Sequence, residues 1–122
     1  MNTILWICQA LLCVIFLYSG VIKVSMAPAK IVSMGQTGVA GLPEKSIRLI
    51  ALSELAGAVG IVLPWLLHQW PVLTPFSAVG FCIIMVCASL IHYRRGEYKT
   101  VAGNMFIFFV ALLVAVLRFG QL

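Results

Sequence analysis

The sequence has little charge: only 9% of its 122 residues are Asp, Glu, Lys or Arg, whereas 63% are apolar. A soluble domain carries about 25% charged residues to cover its surface, so this class of protein is excluded. The eight basic residues give a net charge of +5, but they form no dense cluster on a polar face, which argues against nucleic-acid binding. These shortages leave an integral membrane protein.

Disulfide and metal frameworks are also missing from the sequence. The four cysteines sit inside apolar runs, which is not the pattern of a disulfide-rich secreted module. No C-x-x-C redox motif occurs. His68 and His92 show no metal-ligand spacing with these cysteines, so no metal site is predicted.

Long apolar runs dominate what the sequence does contain. They cover residues 4–24, 47–67, 72–92 and 101–119, and about 20 helical residues suffice to cross a bilayer core of about 30 Å. The alternation typical of membrane β-barrels is absent. We therefore predict an all-α membrane protein, a single domain built as a four-transmembrane-helix bundle over residues 1–122. A short interfacial segment is expected at residues 28–34, with Ile31, Val32 and Met34 facing lipid, followed by a flexible glycine-containing link.

Basic residues are distributed unequally between the two ends of the predicted bundle. One end holds Lys23, Lys30, Lys45, Arg48, Arg94, Arg95 and Lys99, and the other holds Arg118 alone. Because cytoplasmic loops are enriched in Lys and Arg, this asymmetry predicts that both termini lie outside. The expected location is the cell membrane, most simply a bacterial inner membrane.

Polar residues inside the spans need partners, because a charge at membrane depth is costly. Glu54 lies about 10 Å into the second span by helical rise and should face the bundle interior. Lys23, His92 and Asn104 lie at a similar depth on the other three helices, so the four side chains are expected to converge. Structural alternatives remain open: an ion pair of Glu54 with Lys23 or Arg48, a Lys23 that reaches the headgroups, an interfacial His92, and an Asn104 that joins helices.

This cluster supplies the candidate site residues. Gln9 joins it because it shares one face of the first helix with Lys23 at 100° per residue. The candidate acid/base or proton-relay residues are Glu54 and His92, and the candidate binding residues are Lys23, Asn104, Gln9 and Arg48.

Several short motifs resemble the DoxX-like family of small four-helix membrane proteins over nearly the whole chain. They are Phe16-x-x-Ser19-Gly20-x-x-Lys23, Ser53-Glu54-Leu55-x-Gly57 and Ala88-x-x-x-His92. The resemblance implies a four-helix bundle in the cytoplasmic membrane. It implies little about activity, since some relatives are subunits of thiosulfate:quinone oxidoreductase, others are associated with thiol redox complexes, and many have no assigned activity.

The leading functional hypothesis is an accessory component of a membrane redox system that binds a quinone or another hydrophobic ligand. Its expected partners are the lipid bilayer, a membrane redox protein and a second copy of the chain. A first alternative is an autonomous membrane enzyme of the epoxide hydrolase, isomerase or cyclase type that uses Glu54 and His92 as acid and base. A second is an assembly or chaperone module that docks other helices on small residues of the second span, such as Gly57.

Overall fold

The computed structural model describes residues 2–122 and is all-α over that range. Its helices are α1 (Asn2–Ser25), α2 (Pro28–Ser33), α3 (Glu44–Gly60), α4 (Leu63–Leu67), α5 (Leu73–Arg94) and α6 (Tyr98–Gly120), with a single 3-10 turn at Thr37–Val39. Four segments in this range are long and apolar enough to cross a membrane, namely α1, α3 with α4, α5 and α6. The predicted all-α bundle with four spans is confirmed.

The helices extend beyond most of the apolar runs, because polar residues at the membrane surface continue the helical hydrogen bonding. The third span starts at Leu73, one residue later than predicted, and continues to Arg94. The fourth begins at Tyr98, three residues before its run. Gly96 has a φ of +76°, the left-handed conformation that commonly terminates helices, and it separates α5 from α6.

A break divides the second span into α3 and α4. Pro64 has no backbone N–H, so the carbonyl of Gly60 loses its helical donor. The Thr74 hydroxyl donates to that carbonyl at 3.2 Å, and the Gln9 side-chain amide donates to the carbonyl of Ile61 at 2.7 Å. Side chains of α5 and α1 therefore stabilise the break.

Small residues let the helices approach closely. A Cβ added at Gly20 would lie 2.7 Å from Leu55 Cγ, and one added at Gly57 would lie 2.5 Å from Phe81 Cε1. Gly57 therefore packs against α5 of the same chain, so the docking face considered for an assembly module is already covered at this point.

An aromatic stack joins α1 to α5 in the middle of the bundle. The rings of Phe16 and Phe81 are stacked with centroids 3.8 Å apart, and each residue is 1% exposed. Beyond the stack, toward the chain termini, the interior is filled by apolar side chains that include Leu5, Leu12, Ile61, Ala78 and Val114.

The segment 26–43, which we call the cover loop, packs onto one end of the bundle. Ile31 is 0% exposed and packs with Ile22, Val39 and Ile47. The prediction that Ile31 faces lipid is wrong, because the side chain finds apolar partners within the chain. The predicted flexible link instead contains the ordered turn Thr37–Val39.

The two ends of the bundle differ in charge and in which parts of the chain they contain. The basic end comprises the cover loop and residues 95–97, and the terminal end comprises residues 61–72 and both chain termini. The shared position of the termini is visible in the hydrogen bond from Arg118 Nη1 to Asn2 Oδ1, at 2.6 Å. The placement of the basic end in the cytoplasm stays a prediction from the distribution of Lys and Arg.

Candidate functional site

A cavity of about 670 Å³ occupies the basic half of the bundle. Phe16 lines it toward the middle of the bundle, and Gly38, Val39 and Leu42 of the cover loop line it at the basic end. Its polar lining includes the four residues expected to converge from the four spans, which are Lys23, Glu54, His92 and Asn104. The structure thus brings them around one space, and their functional roles stay predictions.

An ion pair is buried at this cavity. Lys23 Nζ lies 2.6 Å from Glu54 Oε1, and the two side chains are 11% and 1% exposed. Helix α3 presents Glu54 on the same face as the buried Ala51 and Ala58, so the carboxylate is shielded from lipid. Lys23 therefore pairs inside the bundle rather than extending its ammonium group to the headgroups.

Arg48 has a different task from the one predicted. Its guanidinium donates to the backbone carbonyls of Lys23 and Met26, the latter at 2.7 Å, and to Glu44 Oε1 at 2.9 Å. Carbonyls in the last turn of a helix have no helical donor, so Arg48 caps α1. It does not line the cavity, and the Glu54–Arg48 pair considered from the sequence is not formed.

Asn104 contributes a donor without an acceptor. Its Nδ2 is buried and has no hydrogen-bond partner within residues 2–122, although the residue lines the cavity. An unsatisfied buried donor costs about 1–3 kcal/mol. A ligand with a carbonyl oxygen in the cavity would supply the missing acceptor.

His92 is held by a carboxylate that the sequence analysis did not select. Its Nδ1 donates to Glu97 Oε1 at 2.9 Å, and Thr37 Oγ1 donates to Glu97 Oε2 at 2.8 Å. These hydrogen bonds, that from His92 first, lower the pKa of Glu97 below its ordinary value. Glu97 thereby ties the cover loop to α5. One indication of this contact was present in the sequence: Glu97 directly follows the predicted helix end at Gly96 and lies five residues after His92.

The other nitrogen of His92 faces the cover loop. A Cβ added at Gly38 would lie 3.0 Å from Nε2, and both residues line the cavity. Nδ1 carries the proton that is donated to Glu97, so Nε2 is the acceptor nitrogen whenever the imidazole is neutral. The arrangement can accept a proton or a hydrogen bond at Nε2.

Gln9 lies away from this cavity, and its predicted place in the site is wrong. It is 0% exposed in the terminal half, where it bonds to Ile61 and accepts a hydrogen bond from Arg118 Nε at 2.8 Å. The shared helical face was correct, but fourteen residues separate Gln9 from Lys23, about 21 Å along a helix. Rotation about the helix axis does not determine depth.

The cavity reaches the outer surface of the bundle between α1 and α5. Its lining includes five exposed residues of these two helices, which are Val14, Tyr18, Ile83, Cys87 and Ile91. Their exposed surfaces lie within membrane spans, so the opening faces lipid. The volume falls in the range of about 300–1,000 Å³ typical of small-molecule sites.

Comparison with known proteins agrees with the fold. A search of curated proteins and a search of solved structures each found no match. Residues 7–116 match the DoxX-like family, a range that covers nearly the whole chain and most of each of the four spans. This multi-pass membrane protein therefore belongs to the DoxX-like family.

Proposed function

We propose that the protein is an accessory component of a membrane redox system and binds a quinone-like molecule in the cavity at its basic end. One observation carries the proposal: a cavity open to lipid and lined mainly by apolar side chains also holds a buried ion pair and the Asn104 Nδ2 donor, which has no acceptor among residues 2–122. Apolar walls with a few placed polar groups are typical of sites for small amphiphilic ligands.

The polar groups suit a ring that carries carbonyl oxygens. Asn104 Nδ2 supplies one hydrogen-bond donor. An ammonium group has three N–H donors, so Lys23 keeps donors for a ligand after it pairs with Glu54. The apolar tail of the ligand would leave between α1 and α5 and enter the bilayer. The partner enzyme supplies the electron transfer in this proposal, and the present chain supplies the dry, hydrogen-bonding site.

Cys87 provides a direct assay, because it is exposed and lines the cavity. The protein in lipid nanodiscs is treated with a membrane-permeant maleimide while decyl-ubiquinone is titrated, and each cysteine is followed by mass spectrometry. We expect saturable protection of Cys87 and no protection of Cys8, which lies toward the terminal end. Equal labelling of Cys87 at all quinone concentrations would contradict the proposal.

Three variants test the polar groups. Asn104→Leu should weaken protection about tenfold, which corresponds to the loss of one hydrogen bond of about 1.4 kcal/mol. Glu54→Gln should assemble but also bind more weakly, because the charge partner of Lys23 is lost. Glu44→Gln on the same helix is the matched control, since Glu44 is exposed. Weakening of equal size in Glu44→Gln and Glu54→Gln would remove Glu54 from the site.

A second function, an autonomous enzyme, is favoured by one observation. The Glu97 carboxylate fixes the proton of His92 on Nδ1, which leaves Nε2 as a general base. His92 would then act as the base on a hydrophobic epoxide or a substrate for isomerisation, and the acid would be the ion pair of Glu54 and Lys23. Turnover of such a substrate by the purified protein without a partner would support this function, provided that the variant His92→Gln abolishes it. Quinone protection without any turnover would support the accessory role.

A further inference from the structure

Arg118 is fully buried at the terminal end, far from the cavity. It lies in the last turn of α6 and is 0% exposed. Its Nη1 donates to Asn2 Oδ1 and to Gln121 Oε1, each at 2.6 Å, and its Nε donates to Gln9. All three acceptors are neutral amide oxygens, so the guanidinium charge is hydrogen-bonded without being neutralised.

The remaining nitrogen of the guanidinium is Nη2. Nη2 is buried and has no hydrogen-bond acceptor within residues 2–122. The Trp65 and Trp6 rings lie 4.5 Å and 5.5 Å from Arg118 Cζ. Ring faces attract a cation, but they carry no formal negative charge.

The chain has no carboxylate side chain to offer at this end. Its three acidic residues are Glu44, Glu54 and Glu97, and all three belong to the basic half of the bundle. A second copy in the same orientation would bring its own acidic side chains to that same half. Because a buried charge without a counter-charge is unfavourable and none of the three acidic side chains lies at this end, an anion bound beside Arg118 would be stabilised.

We propose that Arg118 binds a phosphate group, either that of a phospholipid headgroup or free inorganic phosphate. Guanidinium groups bind phosphate through two parallel N–H donors, and Nη2 is available for this. Asn2 and Gln121 are exposed and stand at the ends of α1 and α6. A phosphate oxygen can replace their amide oxygens on Nη1, and their amide N–H groups can then donate to the phosphate.

The depth of the site fits the headgroup region. Tryptophans are enriched at the level where the acyl chains meet the headgroups, and Trp6 and Trp65 flank Arg118. The guanidinium is hydrogen-bonded to Asn2 and Gln121, two exposed residues at the ends of the chain. The site is therefore distinct from the quinone cavity, and it does not depend on the proposed function.

Tryptophan emission tests the proposal, because two of the three tryptophans contact Arg118. The third, Trp70, is 77% exposed, and the variant Trp70→Phe removes its background. One arm titrates sodium phosphate into delipidated protein in maltoside micelles, with sodium chloride at equal ionic strength as the reference. The other arm adds phosphatidylglycerol to the same micelles. We expect a saturable shift in emission in at least one arm, and the arm that responds identifies the source of the phosphate.

Charge variants decide whether Arg118 is responsible. In the Trp70→Phe background, Arg118→Gln should weaken the response at least tenfold, whereas Arg94→Gln, which removes an exposed charge at the basic end, should leave it unchanged. Arg118→Lys keeps the charge but loses the paired donors, and it should weaken the response severalfold even if Arg118→Gln does not fold. The proposal is overturned if neither arm gives a response, or if Arg118→Lys and Arg94→Gln respond identically to the parent.

Discussion

Replacing Glu54 by leucine would leave the Lys23 ammonium buried without its counter-charge. The two groups are 2.6 Å apart, and their side chains are 1% and 11% exposed, so solvent screens the pair very little. Removing one partner of such a pair costs about 3–5 kcal/mol. At about 1.4 kcal/mol for each factor of ten, the equilibrium constant for unfolding should rise about 100-fold to about 4,000-fold.

The double variant Lys23→Met/Glu54→Leu should recover most of that loss. Apolar residues of similar volume often replace a buried ion pair at little cost, because both desolvation penalties disappear. We expect its stability to lie within about 2 kcal/mol of the parent. Lys23→Met alone leaves the Glu54 carboxylate buried without its counter-charge and should also cost about 3–5 kcal/mol. The coupling energy, which is the summed cost of the two single variants minus the cost of the double variant, should then be at least about 4 kcal/mol.

The assay is equilibrium unfolding in mixed micelles of maltoside and dodecyl sulfate, followed by helical circular dichroism. Glu44→Leu is the matched control on the same helix, because Glu44 pairs with Arg48 at 2.9 Å but its side chain is 64% exposed. An exposed pair of this kind contributes about 0.5 kcal/mol or less. A cost below about 1 kcal/mol for Glu54→Leu, or a coupling energy near zero, would refute the burial of the pair on which the site depends.

Three further changes probe the packing, the break and the cover loop. Gly57→Leu should destabilise the bundle by about 1–3 kcal/mol or more, because the new side chain meets the Phe81 ring, measured by the same unfolding assay. Thr74→Val should cost about 1–3 kcal/mol, because the Gly60 carbonyl loses its donor. The stability that Glu97 contributes should be complete above the ordinary pKa of a glutamate and should disappear as the pH falls through its lowered folded-state value. The difference in unfolding midpoint between the parent and Glu97→Gln, measured against pH, reports this loss.

Each of these changes has its own control. Gly80→Leu adds the same side chain at a position where an added Cβ meets nothing within 4 Å, and a loss as large as that of Gly57→Leu would contradict the close approach. Thr74→Ser keeps the hydroxyl and should retain most of the stability. For Glu97, a midpoint difference that grows as the pH falls would have the wrong sign and would exclude a hydrogen-bonded carboxylate.

The sequence was sufficient to predict the spans and the convergence of Lys23, Glu54, His92 and Asn104. The physical reason is that a bilayer allows few places for such residues: a glutamate in the second span must turn inward, and polar groups at one depth on four helices then meet. The same constraint does not act at the membrane surface. Polar and apolar side chains are both tolerated there, and the packing of Ile31 depended on partners distant in the chain.

Arg118 and Gln9 show a second reason why the sequence alone was insufficient. Arg118 was counted as a surface charge near a span end, and nothing in its local sequence distinguishes an interfacial arginine from a buried one. Its burial depends on three amide acceptors, two of them at the opposite end of the chain sequence. Gln9 was predicted on the correct face of α1 but at the wrong depth in the bundle. Helical periodicity specifies an angle around the axis and not a distance along it.

The stacked rings of Phe16 and Phe81 close the cavity toward the middle of the bundle, and apolar core fills the space beyond them. A molecule in the cavity therefore has no passage through the bundle interior to the terminal end. Any chemistry at this site would exchange protons through the basic half of the protein.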